Sequence, residues 1–246
     1  MVSAIYKKIK NKEMKIKLQY IWLLALVISV ASCKKDNYKE PTTLLSGKLV
    51  YNGDPIGVEY DKVTFELYQY GFGKIGPIGA RFDQEGKYSM LLFDGDYKFI
   101  IPNGQGPFSW KKLANGSPDS LPISLRGNKV QDIEVTPYFM IRNPQITAGG
   151  GKVATTFKAE KIVTGADAKN IERVALFINK TQFVSNSDNV ASTTIDGGNI
   201  VDVNNITMNV TIPTLVPTQN YIFGRIGLKI DGLDDWLLSP VVKLSF

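Results

Sequence analysis

Strict two-residue alternation, repeated in short runs, is the feature that most limits what this chain can become. Ile206, Met208, Val210 and Ile212 are interleaved with Thr207, Asn209 and Thr211. Val63, Phe65 and Leu67 alternate with Thr64, Glu66 and Tyr68, and Tyr97, Phe99 and Ile101 repeat the pattern after Asp94-Gly95-Asp96. A period of two puts successive side chains on opposite faces of a strand, so each run predicts half-buried β-structure with one wet face. From Leu45 onward such runs are separated by Gly, Asn, Asp and Pro, and no segment sustains a long helical period. Residues 166–177 compete as a helix, but Val174, Leu176 and Ile178 alternate by two, which predicts a strand over the second half. The expected fold class is all-β.

The chain has 246 residues, of which 214 follow residue 32, enough for two small domains. Gln131 to Thr136 closes one alternating run and Tyr138 to Ile141 opens another just before Asn143-Pro144. Two tandem β-sandwiches are expected, over 45–137 and 138–246. Between Pro102 and Pro122 lies a polar, Gly- and Pro-rich stretch that carries Phe108 and Trp110, long for a connection inside a sandwich and so expected to be functional or disordered.

The amino terminus carries an address. Ile21 to Ser32 is apolar, ends in small residues and is preceded by Lys7, Lys8, Lys10, Lys12, Lys15 and Lys17. It is shorter than the roughly 20 residues that span a bilayer, and predicts a cleaved secretory signal over 1–32, starting at Met1 or at Met14. Val30-Ala31-Ser32-Cys33 resembles the lipobox of bacterial lipoproteins, which implies that Cys33 is acylated and becomes the first mature residue. The competing reading makes Cys33 an ordinary apolar residue in a membrane helix. Residues 33–44 then form a lipidated tether, and Lys34-Lys35-Asp36-Asn37-Tyr38-Lys39-Glu40 is similar to the lysine-plus-acid tags of surface-exposed lipoproteins. The implied location is the outer membrane, facing the exterior. Two or more acyl chains are what stable anchoring requires.

Charge and composition exclude several functions. The formal charge of +6 resides in the signal: six of the 29 basic side chains and one of the 23 acids precede Cys33, leaving 23 against 22. A nucleic-acid binder needs a basic patch in the mature chain, so no nucleic-acid partner is expected. Histidine is absent and cysteine occurs once, which removes Ser-His-Asp and Cys-His catalysis and the usual zinc ligand sets. Carboxylate-only glycoside hydrolysis survives this exclusion, because it needs just two acids at the right separation. The absence of a clear acid pair in an aromatic cleft argues against it, and no enzyme, cofactor or metal is expected. Asp94/Asp96, Asp196/Asp202 and Asp231/Asp234/Asp235 lack EF-hand spacing and read as turn residues rather than calcium ligands. Gly71-Phe72-Gly73-Lys74-Ile75-Gly76 matches a dinucleotide string, but Pro77 and a strand pattern follow where a helix should begin, so it reads as a turn. Asp119-Ser120-Leu121 resembles a short O-glycosylation acceptor and marks surface at most.

A wider resemblance rests on Asp36-Asn37-Tyr38, Leu45-Ser46-Gly47-Lys48-Leu49, Asp83-Gln84-Glu85-Gly86-Lys87-Tyr88, Leu92-Phe93-Asp94-Gly95-Asp96-Tyr97-Lys98 and Gly106-Pro107-Phe108. Together these are similar to a two-domain Bacteroidetes lipoprotein family of uncharacterised function, encoded beside an outer-membrane transporter and a lid lipoprotein of the starch-utilisation type. The first half resembles the transthyretin-like or carboxypeptidase-regulatory sandwich. The second, through Tyr221 to Ile226 and Trp236 to Val241, resembles a fibronectin type III or immunoglobulin-like domain. The resemblance implies a non-enzymatic accessory that binds glycan for such an uptake system, with the transporter and lid lipoprotein as partners; the alternative it implies is a scaffold subunit that touches only proteins. Aromatic rings in or beside Gly-rich segments are candidate sugar platforms: Tyr70, Phe72, Phe108, Trp110 and Trp236.

Overall fold

The computed structural model describes residues 39–71 and 76–246. The signal, Cys33 and Phe72 lie outside the described residues. Within Pro41–Phe246, a single compact unit, the chain is almost entirely β-structure arranged as two tandem β-sandwiches.

The first sandwich is built from β1 (Thr43–Tyr51), β2 (Asp54–Pro55), β3 (Thr64–Gln69), β4 (Ile78–Arg81), β5 (Lys87–Leu92), β6 (Gly95–Ile100), β7 (Phe108–Ser109), β8 (Leu121–Leu125), β9 (Lys129–Val130), β10 (Ile133–Glu134) and β11 (Thr136–Pro137). Strand β1 is central to one sheet: β5 and β2 pair with it antiparallel, β9 and β10 parallel. The facing sheet has the order β4-β3-β6-β8, all antiparallel. The predicted alternation holds, with Phe65 and Leu67 of β3 and Tyr97 and Phe99 of β6 pointing into the core. Phe65 stacks on Phe99 at 4.7 Å, and Phe82 and Tyr88 pack at 4.8 and 5.1 Å from Phe65. Each such ring contributes about 1.5–3 kcal/mol by burial and each pair about 0.5–1.5 kcal/mol more. Asp94 ties the start of β1 to the turn after β8, accepting bonds from Thr43 Oγ1 (2.6 Å) and the Gly127 N–H (3.0 Å). The Thr43 bond first, and the Gly127 bond second, hold its carboxyl below the usual carboxylate range.

The second sandwich contains β12 (Phe139–Gly149), β13 (Lys152–Lys161), β14 (Ile171–Asn179), β15 (Ala191–Asp196), β16 (Ile206–Thr211), β17 (Tyr221–Ile230), β18 (Trp236–Leu238) and β19 (Val242–Ser245). Sheet β12-β13-β16 faces sheet β15-β14-β17, and both β18 and β19 pair with β17. The 166–177 segment resolves as predicted, with only a short 3₁₀ turn at Gly165–Asp167 ahead of β14. Val174 to Ile178 is buried without interruption, unlike the alternating strands. Its second buried face, with Ala175 and Phe177, packs with Val184, Trp236 and Leu238 in a separate cluster on the outer side of the sheet. A strand covered on both faces loses its polar alternation.

That outer side meets the first sandwich. Arg225 of β17, beside Phe177 in the register, is 1% exposed. Its Nε donates to the Ser239 carbonyl (2.6 Å), Nη1 to the Val184 carbonyl (3.4 Å), and Nη2 to the carbonyl of Gln84 in the first sandwich. Burial pulls its pKa down to about 10, against the attraction of Glu85, Glu59 and Asp83, so it stays a cation at neutral pH. Gln84 sits in the Asp83–Gly86 turn, where Asp83 Oδ1 accepts the Glu85 and Lys87 N–H groups at 3.0 and 2.7 Å. Gly86 (φ +71°) is required there, since a Cβ would lie 2.1 Å from the Ile56 carbonyl oxygen. Beside Arg225, the Leu238 N–H donates to the Gly57 carbonyl (2.9 Å), and a Cβ on Gly57 would lie 2.5 Å from the Leu238 oxygen. Glu59 accepts the Ser187 N–H (2.8 Å), and Asp235 accepts the Gly106 N–H (2.7 Å). The two sandwiches share one continuous apolar core above this polar seam.

Removing the guanidinium strands three carbonyls at the seam. Arg225→Met is expected to cost about 3 kcal/mol or more, read from denaturant unfolding, and to split a single calorimetric transition into two. For Asp94, a lowered folded pKa stabilises fully above the ordinary carboxylate value of about 3.9 and is lost as pH falls through the lowered one. Asp94→Asn is therefore expected to flatten the decline in melting temperature below about pH 4, where an unchanged slope would show that the Thr43–Asp94 clasp is thermodynamically silent.

Candidate functional site

The segment that leads into β3 decides where an aromatic ring can reach solvent. Val58 and Glu59 are buried at the seam, Glu59 being held by the Ser187 N–H. Asp61 adopts a left-handed backbone (φ +61°) and pairs with Arg81, whose Nη1 lies 2.7 Å from its carboxylate and 3.2 Å from its carbonyl. Between these two fixed neighbours Tyr60 has only the outward direction, and it is 51% exposed. Phe183 of the second sandwich, 43% exposed, packs edge-on to it with ring centroids 5.5 Å apart. The seam thus carries an exposed aromatic pair with one ring from each domain.

Tyr60 stands at the wall of a 740 Å³ cleft lined also by Ser46, Lys48, Asp61, Arg81, Asp83, Lys87, Ser89, Val130 and Asp132. Strands β1 and β5 place Ser46 opposite Ser89 and Lys48 opposite Lys87. Asp132 Oδ1 accepts the Lys48 N–H (3.1 Å), as Asp83 Oδ1 accepts that of Lys87. Below them Tyr88 donates its hydroxyl to the Gln131 carbonyl (2.7 Å), and burial, then the nearby Asp132 charge, raises its pKa. The cleft offers cations, carboxylates and hydroxyls beside a ring, the chemistry that recognises a polyhydroxylated ligand. Among the described residues no group of three or more His, Cys, Asp or Glu side chains is gathered to hold a metal, and no helix is long and apolar enough to cross a membrane.

The aromatics singled out in the sequence are not brought together, and three of them are core. Phe108 is 4% exposed and its β7 pairs with β11. Trp110, 7% exposed, packs 6.0 Å from Phe99 and donates Nε1–H to the Asp119 carbonyl (2.7 Å). The 102–122 stretch folds back on itself through the Lys112–Pro118 bridge and contributes Gly106 to the seam, so its aromatics point inward. Trp236 lies edge-on to Phe177 at 5.3 Å in the outer cluster of the second sandwich. Phe108 and Trp236 offer no face to a sugar, and Trp110 reaches only the edge of a 390 Å³ cleft with Lys111 Nζ 5.5 Å over its ring, at odds with the expectation drawn from their Gly-rich surroundings. Tyr70 is 53% exposed beneath Lys98 Nζ (5.1 Å), but it lies at the far end of β3 from Tyr60, about 20 Å along the strand. Tyr60 was missed because a single Tyr between two acids carries no periodic signal; its exposure follows from the burial of Glu59, a tertiary fact.

Family models match nearly all of this architecture: the N-terminal domain of a protein of unknown function, DUF3823, over residues 43–136, and the DUF3823 C-terminal domain over 139–243. The chain belongs to the DUF3823 family. A DUF3823 protein from Bacteroides ovatus is 32% identical with a TM-score of 0.71, covering 83% of this chain and 99% of its own. One from Parabacteroides merdae is 30% identical with a TM-score of 0.73, covering 84% and 100%. A Bacteroides uniformis protein whose description suggests carbohydrate binding shares the fold at 17% identity and a TM-score of 0.67, covering 84% and 100%. No curated protein matches the chain.

Trp110 and Trp236 are buried, so their truncation acts on the fold. Trp110→Ala and Trp236→Ala are each expected to lower the unfolding free energy by about 3–5 kcal/mol in urea titrations; a loss below about 1 kcal/mol would mean that the rings are not packed as described.

Proposed function

We propose that this DUF3823 protein is a non-enzymatic glycan-binding accessory, lipid-anchored through Cys33 at the outer-membrane surface, and that its sugar site is the cleft beside Tyr60. The observation that carries the reading is exposed Tyr60, packed edge-on to Phe183 and standing at the wall of a cleft of charged and hydroxyl side chains. A flat ring supplies an apolar face to a pyranose, while carboxylates and ammonium groups bond its hydroxyls. The carbohydrate description of the Bacteroides uniformis neighbour agrees with this but adds no residue-level support. On this reading the lipobox-like Cys33 fixes the chain to the membrane, the first sandwich, transthyretin-like, faces a transporter and lid lipoprotein, and the second, fibronectin-like, contributes Phe183 to the sugar platform. The scaffold reading draws on a different observation: Leu44 and Leu91, directly opposite on β1 and β5, are 38% and 58% exposed and suit a protein partner.

Affinity electrophoresis of the soluble protein beginning at Lys34 through a polysaccharide panel tests the reading. Selective retardation that Tyr60→Ala or Phe183→Ala weakens about tenfold or more is expected, since one stacked ring is worth about 0.5–1.5 kcal/mol beyond its buried area. Migration unchanged by every glycan would transfer the weight to the scaffold reading.

A further inference from the structure

The floor of the Tyr60 cleft contains an arrangement that a sheet avoids unless something uses it. Lys48 of β1 and Lys87 of β5 are directly opposite in an antiparallel register, and both line the cleft. Like charges at such a position repel and destabilise the pair. Neither ammonium group is paired with a carboxylate among the described residues. The nearby carboxylates are directed elsewhere: Asp132 Oδ1 accepts the Lys48 N–H, Asp83 Oδ1 accepts the Lys87 N–H, and Asp61 pairs with the Arg81 side chain, so none of the three forms an ion pair with either ammonium group. The next row on the same face sets Ser46 opposite Ser89, giving two hydroxyls beside two ammonium groups, with Tyr60 on the wall.

We propose that Lys48 and Lys87 form a clamp for an anionic substituent on a sugar, so that the ligand class of this cleft is acidic polysaccharide, bearing carboxylate or sulfate. The proposal rests on the glycan-binding reading of the Tyr60 cleft and narrows it. An anion between the two ammonium groups removes their repulsion and gains two charge-assisted hydrogen bonds, while Ser46 and Ser89 bond the neighbouring hydroxyls and Tyr60 covers the ring. A bound anion bridging the two ammonium groups thus relieves a cross-strand repulsion that the free protein carries.

The test measures retardation and calorimetric affinity of the soluble protein beginning at Lys34 with polygalacturonate, chondroitin sulfate and neutral pullulan. An acidic polymer is expected to bind about tenfold or more tightly than pullulan, with affinity falling as salt rises. Preference for polygalacturonate identifies a carboxylate as the clamped group, and preference for chondroitin sulfate a sulfate. Lys48→Gln/Lys87→Gln is expected to erase the preference for the acidic polymer. Because the substitutions relieve repulsion, the variant is expected to melt no lower than the original, which separates lost binding from lost fold. Acidic binding unchanged in that variant would overturn the clamp. Binding of pullulan alone, abolished by Tyr60→Ala, would overturn the clamp and leave the Tyr60 site standing; no binding of any polymer would overturn both.

Discussion

The guanidinium of Arg225, sealed between two sandwiches, is the interaction on which the rest of this structure depends. A buried cation is costly, and it is tolerated here because carbonyls from Ser239, Val184 and Gln84 surround it and three acids lie within electrostatic reach. Two of those carbonyls come from the second sandwich and one from the first, so the donor can be satisfied only when the domains are docked. The turn that presents Gln84 is shaped by Asp83 and Gly86, and the strand contact beside it needs the bare backbone of Gly57. A polar latch of this kind fixes orientation more than it adds stability, whereas the shared apolar core supplies the burial.

Docking in turn creates the candidate site. Glu59 is drawn into the seam by the Ser187 N–H, which forces its neighbour Tyr60 outward, and the same loop of the second sandwich brings Phe183 against it. Neither domain alone would hold this pair. A recognition surface on a rigid seam loses little ordering entropy when it binds, which suits the proposed capture of an extended flexible glycan.

Much of the fold was legible in the chain because its cause is local. Alternation at Val63–Tyr68, Tyr97–Ile101 and Ile206–Ile212 located strands with one wet face, and the competition at 166–177 was settled by the spacing of Val174, Leu176 and Ile178. The candidate site was not legible, for a physical reason. Whether an aromatic is platform or core depends on what covers it: Trp236 packs with Phe177 and Val184, and Phe108 sits on a strand paired at Pro137, both distant in sequence, while Trp110 is covered by the folding back of its own loop towards Phe99. Gly-rich surroundings, taken as a sign of an exposed loop, here allow close packing instead: Gly227 makes room for Trp236 and Phe177, and Gly106 for Phe108. Arg225 gave no signal at all, since a lone basic residue in an alternating run reads as a solvated face. The Asp83–Gly86 turn was visible as a turn, but its task of presenting a carbonyl to the other domain belongs to the tertiary structure.

The most direct test of this account is to map the ligand on the folded protein, by recording backbone and indole ¹H–¹⁵N spectra while titrating in the oligosaccharide best retained by the protein. The account predicts shifts confined to the amides around Tyr60, Phe183, Lys48 and Lys87, with the indole signals of Trp110 and Trp236 unmoved. Movement of either indole with a silent Tyr60 cleft would contradict it, and would place the sugar on rings that the structure shows as core.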